Sequence, residues 1–132
     1  MNLLRLIKHL KISKRIGNNM AKWTIDLQDP FKTYSDWVEN KIITEGQTRL
    51  IENVLGLVGE AGEVAEKIKK QMRDNTEVSV DDIIKEIGDV VFYSTALAKF
   101  YNKNLRDVID LNIQKLDERE AKGNIKGSGD DR

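Results

Sequence analysis

The sequence predicts an all-α fold, a bundle of about four main helices completed by oligomerisation. Apolar residues recur at helical spacing over two long stretches, roughly 48–73 and 80–101. Val, Ile and Thr are scattered rather than gathered into alternating runs, so no segment reads as a strand. With 132 residues, 39% apolar and 33% charged, the chain fits one compact domain whose helices carry solvated faces.

Taken in order, residues 1–19 (MNLLRLIKHLKISKRIGNN) place Leu3, Leu6, Ile7 and Leu10 at helical spacing, with Lys and Arg between them. An extra helix, a targeting or membrane-surface segment and an extension ahead of a second start at Met20 all fit this pattern. The expected organisation is therefore a basic N-terminal extension over 1–19 and one domain over 20–132, with Gly17-Asn18-Asn19 as the break. Asp29-Pro30 opens the first main helix, since Pro is tolerated where the backbone N–H has no helical partner. It is expected to run to about Ile43, with Glu45-Gly46 as its stop. The second helix runs from about Thr48 to Arg73, and Asp74-Asn75-Thr76 turns the chain. Ser79, with Asp82 three residues later, resembles an N-capping arrangement for a third helix from Val80 to about Tyr101. Asn102 to Asn104 form a tight connection to a last helix, Leu105 to about Ala121, and Gly123, Gly127 and Gly129 mark an irregular tail.

Composition narrows the chemistry. Cys is absent and His9 is the single His, which excludes disulfides, thiol nucleophiles and Cys- or His-rich metal sites. Lys plus Arg and Asp plus Glu each number 22, but five of the cations lie in residues 1–19, which hold no acid. From Met20 onward 17 cations face 22 acids, an acidic balance unsuited to nucleic acid as the main partner. No apolar run approaches the roughly 20 residues of a membrane span, and a cytoplasmic location is expected.

On the second helix, at roughly 100° per residue, Leu50, Val54, Leu57, Ala61, Val64, Ala65, Ile68 and Met72 form one apolar stripe. Glu60 and Glu63 lie beside it with Asn53 and Lys67. On the third helix Ile83, Ile87, Val90, Leu97 and Tyr101 form the stripe, and Glu86, Asp89 and Tyr93 lie on one flank. Each acidic pair alone is an ordinary feature of a solvated helix. Packing the two stripes together, however, would converge four carboxylates at the seam, where mutual repulsion calls for a divalent cation. All-oxygen ligation selects a hard ion, Mg²⁺ or Mn²⁺. Gly56, Gly59 and Gly62 within the second helix, and Gly88 within the third, each cost about 0.5–1 kcal/mol relative to Ala, so another backbone or a ligand is expected to approach them. The run Val90 to Tyr93 is the most apolar in the chain, an odd neighbourhood for Asp89.

The last helix sets Asn112, Lys115 and Arg119 on the same face as Leu105, Val108, Ile109 and Leu116. Inward cations need an anionic partner, either the acids, a phosphate chain or a rim salt bridge. Lys67 and Lys70 are further phosphate candidates, although a solvated position suits so charged a helix better. Trp23, Phe31, Tyr34 and Trp37 could stack on a base, with core packing the expected role for at least half of them.

The stretches LGLVGEAGEVAEKIKK, EIGDVVFY, NIQKLDER and the tail GNIKGSGDDR resemble the MazG-like nucleoside triphosphate pyrophosphohydrolases, in particular their short, phage-type single-domain forms. The resemblance spans about Phe31 to Arg132 and leaves 1–19 outside. The family's ExxE and ExxD pairs fall on Glu60, Glu63, Glu86 and Asp89 as metal ligands. It implies a helical homodimer or homotetramer and Mg²⁺-dependent cleavage between the α- and β-phosphates of an NTP or dNTP, giving the monophosphate and pyrophosphate, in the service of nucleotide-pool house-cleaning. On this reading Glu63 is the expected general base, Lys115 and Arg119 stabilise the triphosphate, and Tyr93 and Asn112 help position it. The competing readings are a non-catalytic helical interaction module and a relative specific for dUTP, dCTP or phosphoribosyl-ATP. A di-iron bundle is disfavoured, because its Glu-x-x-His pairs are missing.

Overall fold

The structure, a computed structural model, describes residues 26–123. The basic stretch 1–19, Trp23 and the glycine-rich tail beyond Gly123 lie outside the described residues. Within them the chain is all-α, with four helices: α1 (Pro30–Glu39), α2 (Gly46–Asp74), α3 (Val80–Phe100) and α4 (Leu105–Ala121). The short connection 75–79 folds α3 back along α2, and this antiparallel hairpin is the body of the molecule. α1 packs on α3 and α4, and α4 packs on α1 and α3 but not on α2. No described helix is long and apolar enough to cross a membrane.

Local chemistry sets the helix ends. Asp29 accepts from the Lys32 backbone N–H at 3.0 Å, with Pro30 in the first turn, as expected. α1 stops at Glu39 rather than near Ile43. Asn40 closes its last turn, donating its side-chain amide to the Asp36 carbonyl at 2.6 Å, and the chain then turns through Lys41 and Ile42. α2 begins two residues earlier than expected, at Gly46, whose φ of +56° lies in the left-handed region that favours glycine. Ser79 occupies the N-cap position of α3, yet its side chain makes no capping bond. The expected partner Asp82 instead accepts from Lys85 Nζ at 2.9 Å. α4 opens on a reciprocal capping box that the sequence reading missed: Asn104 Oδ1 accepts from the Asp107 N–H at 3.0 Å, and Asp107 Oδ2 accepts from the Asn104 N–H at 2.7 Å.

The core is narrow and made of small side chains. Val38 and Ala96 are fully buried, Ala98 nearly so, and Thr33, Ser35 and Thr95 join them. These hydroxyls can be buried because each donates to a carbonyl one turn back in its own helix, Thr95 to Val91 and Ser35 to Phe31, both at 2.7 Å. Ser35 Oγ also accepts from the Leu105 N–H at 2.9 Å, which pins the first turn of α4 to α1. The expected apolar stripes are only partly covered. Val54, Ile68 and Met72 on α2 remain exposed, as do Ile87 on α3 and Tyr101 just beyond its end.

Arg49, in the second turn of α2, ties three elements together. Its guanidinium donates to both Glu39 oxygens, at 2.9 and 2.6 Å, and lies 5.9 Å from the centre of the Phe100 ring. The hydrogen bond to Arg49 holds the Glu39 carboxyl below its ordinary value, against partial desolvation. A carboxyl with a depressed folded pKa adds stability above its unfolded pKa, and loses it as pH falls through the folded value. Glu39→Gln should therefore lower the Tm at neutral pH, with the difference fading well below about pH 4. The Glu39 side chain is 39% exposed, so solvent screening limits the loss to about 1 kcal/mol or less. Thermal melts of both proteins across that pH range test the expectation.

Candidate metal centre

The α2–α3 hairpin carries the acids. Glu60 and Glu86 are half-buried at the seam and Asp89 is exposed at its rim. One carboxylate oxygen from each of the three lies within 4.8 Å of the others. Glu63, the expected fourth member, is exposed and outside this group. Three residues on from Glu60, it is rotated roughly 60° around α2, towards solvent. It nonetheless belongs to the same electrostatic neighbourhood. Partial desolvation raises the Glu60 pKa, and the charges of Asp89, Glu86 and Glu63 raise it further. Three oxygen donors that repel one another, with no nitrogen or sulfur among them, suit a hard divalent cation.

Lys67 pairs with one of these acids. Its Nζ lies 3.1 Å from Glu86 Oε1, an ion pair across the seam that raises the Lys67 pKa chiefly through the hydrogen bond. The solvated position expected for Lys67 is thus corrected. Asp89 also departs from expectation, since it is solvent-exposed although apolar residues follow it in sequence: 100° per residue carries those side chains to other faces of α3.

Aromatic side chains lead from α1 to the seam. Tyr34 stacks on Trp37 at 5.7 Å between ring centres, Trp37 meets the edge of Phe92 at 6.0 Å, and Phe92 meets Tyr93 at 5.3 Å. Burial, and then the Asp89 charge, push the Tyr34 hydroxyl pKa up, which places this α1 residue within electrostatic reach of the acids. No helical spacing within one segment could have linked Tyr34 to Asp89, because the link depends on how α1 docks. Phe31 lies under the Arg106 guanidinium at 5.5 Å, a packing role.

Only one of the four noted glycines meets the expectation of a close approach within the chain. A Cβ on Gly56 would collide with the Tyr93 ring, whereas Gly59, Gly62 and Gly88 have nothing within 4 Å of that position. The last helix departs further. Every residue from Asp110 to Glu118 is exposed, so Asn112 and Lys115 do not face a core, while Arg119 is buried at 7% exposure. α4 packs on α3, which carries Glu86 and Asp89, but not on α2, which carries Glu60 and Glu63. The physical reason is composition: the apolar positions of α4 are interrupted on their own face by Asn112 and Lys115.

Residues 49–123 match the family model of the MazG nucleotide pyrophosphohydrolase domain. The chain is also similar to the Gene 37 protein of Mycobacterium phage L5, at 45% identity over 82 residues that cover 59% of this chain and 72% of the relative. No solved structure matches it.

The contact between Gly56 and Tyr93 gives a direct test of the seam. Gly56→Ala must push the ring or the helices apart, so it should destabilise by about 1–3 kcal/mol despite the better helix propensity of Ala. Chemical denaturation measures this, and an unchanged or raised midpoint would contradict the close approach.

Proposed function

The chain belongs to the MazG nucleotide pyrophosphohydrolase family, and on that premise we propose that it hydrolyses nucleoside or deoxynucleoside triphosphates to the monophosphate and pyrophosphate with Mg²⁺ (or Mn²⁺) as cofactor, clearing unwanted nucleotides. The observation that carries the reading is the convergence of Glu60, Glu86 and Asp89 within 4.8 Å on facing helices. These three, with Glu63 turning in from the adjacent turn, would hold the ion. When bound, it supplies Lewis acidity that stabilises charge on the phosphate oxygens.

The chain's own residues account for the remaining tasks. Water attacks the α-phosphorus, the bond to the bridging oxygen breaks, and pyrophosphate leaves. A base must take the water's proton, and Glu63 suits this because it is exposed and least committed to the cluster. Lys67, already beside Glu86, is placed to offset phosphate charge. Tyr93 lies one turn beyond Asp89, on the path from the acids towards the α1 aromatics.

Asn112, Lys115 and Arg119 are proposed to contact the triphosphate, the exposed Asn112 and Lys115 from a second copy of the chain, because α4 and α2 of one copy do not meet, and Arg119 from its buried position at the end of α4. Support comes from the apolar surface that one copy leaves exposed, including Ile51 at 50% and Val58 at 66% on α2 and Leu111 at 61% on α4. A homodimer or homotetramer would cover such surface and complete the site.

Three outcomes are expected. Pyrophosphate release from a panel of NTPs and dNTPs should need Mg²⁺ or Mn²⁺ and stop on adding a chelator. Glu86→Gln and Asp89→Asn should abolish nearly all turnover with helix content intact, and the rise in Tm that Mg²⁺ gives the wild type should shrink in both. Full activity in either variant would defeat the assignment. Light scattering at micromolar concentration should report a dimer or tetramer, and a monomer that remains active would contradict the shared site.

A further inference from the structure

We propose that the cleft next to the acid cluster is a nucleobase pocket in which the buried amide of Asn53 reads the edge of the base. The inference rests on the reading of the chain as a nucleotide pyrophosphohydrolase and assigns the part of the substrate on which that reading is silent.

The cleft measures about 550 Å³ and lies between the connection 41–44, α2 and α3, within the size range of small-molecule sites. Its apolar walls come from Ile43, Leu55, Phe92 and Tyr93. These aliphatic and aromatic groups suit a flat ring better than a charged or flexible chain. Asn53 lines the same space, is 2% exposed, and its Nδ2 finds no acceptor among the described residues. A buried amide without a partner is a costly arrangement that a ligand can relieve. A carboxamide offers both a donor and an acceptor, as the edge of a nucleobase does, and amide-to-base pairing is a common means of telling one base from another.

Position supports the assignment. Gly56 precedes Glu60 by one turn of α2, and Tyr93 follows Asp89 by one turn of α3, so the cleft opens on the same side of both acids. Asn53 lies two turns from Glu60, about 10 Å along the helix axis, a span comparable to that between a base and its first phosphate. The missing Cβ at Gly56 lets the Tyr93 ring lie against α2 and close the cleft at the end nearer the acids. At the other end Thr44 donates to Glu52 at 2.8 Å, which holds the connection in place, and Ile43 stands at the mouth, 94% exposed. Triphosphate at the acids and base in the cleft thus use one continuous surface.

The test is kcat/KM for pyrophosphate release with ATP, GTP, CTP, UTP and their deoxy forms, measured on wild type, Asn53→Leu, Asn53→Asp and Ile43→Asp. Wild type should favour some bases over others. Asn53→Leu should compress the ratio of best to worst base by roughly tenfold or more, mainly through KM. Asn53→Asp, which replaces a donor by an acceptor at equal size, should reorder the panel. Ile43 is exposed, so Ile43→Asp cannot harm the core. It should raise KM for every base, which keeps the test decisive if the Asn53 variants fold poorly. A flat wild-type panel, or base ratios and KM unchanged in the variants that fold, overturns the pocket. So does a shift in oligomeric state with the base ratios intact, which would mean that a second copy fills the cleft. A wild type that releases pyrophosphate from no nucleotide overturns the functional reading itself, and the pocket with it.

Discussion

The close approach of α2 and α3 is the constraint on which the rest of the structure depends. Two antiparallel helices can present acids to one another only if their axes come near enough for short side chains to meet. In this chain that distance is set at Gly56, where the absence of a Cβ admits the Tyr93 ring. One turn away, Glu60 faces Glu86 and Asp89. The cluster is therefore a product of helix packing and not of any loop. Its members are held by 29- and 21-residue helices, which position them more rigidly than a surface loop would. The same closeness produces the desolvation and the repulsion that raise the Glu60 pKa, and it draws Lys67 across the seam to Glu86.

The helical fold was legible in the sequence because periodicity and connection residues repeat a simple geometric rule. The acid cluster was legible for the same reason: two acidic pairs flank two stripes, and stripes must meet. The illegible features depend on distances that no spacing within one segment encodes. Tyr34 feels the Asp89 charge only because α1 docks where it does. Asn53 was visible beside Glu60 on the helical wheel, but its burial under the connection 41–44 was not. Ser79 shows the opposite failure, a capping pattern that is not realised: the Asp82 N–H donates to the Ser79 carbonyl and the Asp82 carboxylate accepts from Lys85. Gly59, Gly62 and Gly88 carry a cost that no close approach among the described residues explains. α4 misled most, since its helical spacing is sound while its packing in one copy is slight.

The distribution of burial separates two parts of the molecule. Around α1 and the second half of α3 the chain is packed and tied by polar junctions, Arg49 with Glu39, Ser35 with Leu105 and the Asn104–Asp107 box. Away from that region, along the second half of α2 and most of α4, apolar side chains such as Met72 and Leu111 meet solvent. A chain with so narrow an internal core draws its stability from a few well-made junctions near one end, leaving the long helical surfaces available to other uses.

The smallness of the buried side chains between α1 and α3 has its own consequence. Ser35, Val38, Thr95 and Ala96 act as a thin spacer, so α1 rides close over α3. α1 carries Tyr34 near Asp89 and, at its end, feeds the strap 41–44 that roofs the cleft. Added volume beneath it would act as a shim. It would tilt α1 and carry Tyr34 and the strap away from α3 together, widening the cleft without touching an acid. The part of this chain most open to gradual retuning thus lies in its least reactive residues, where a methyl group translates into a displacement of the roof.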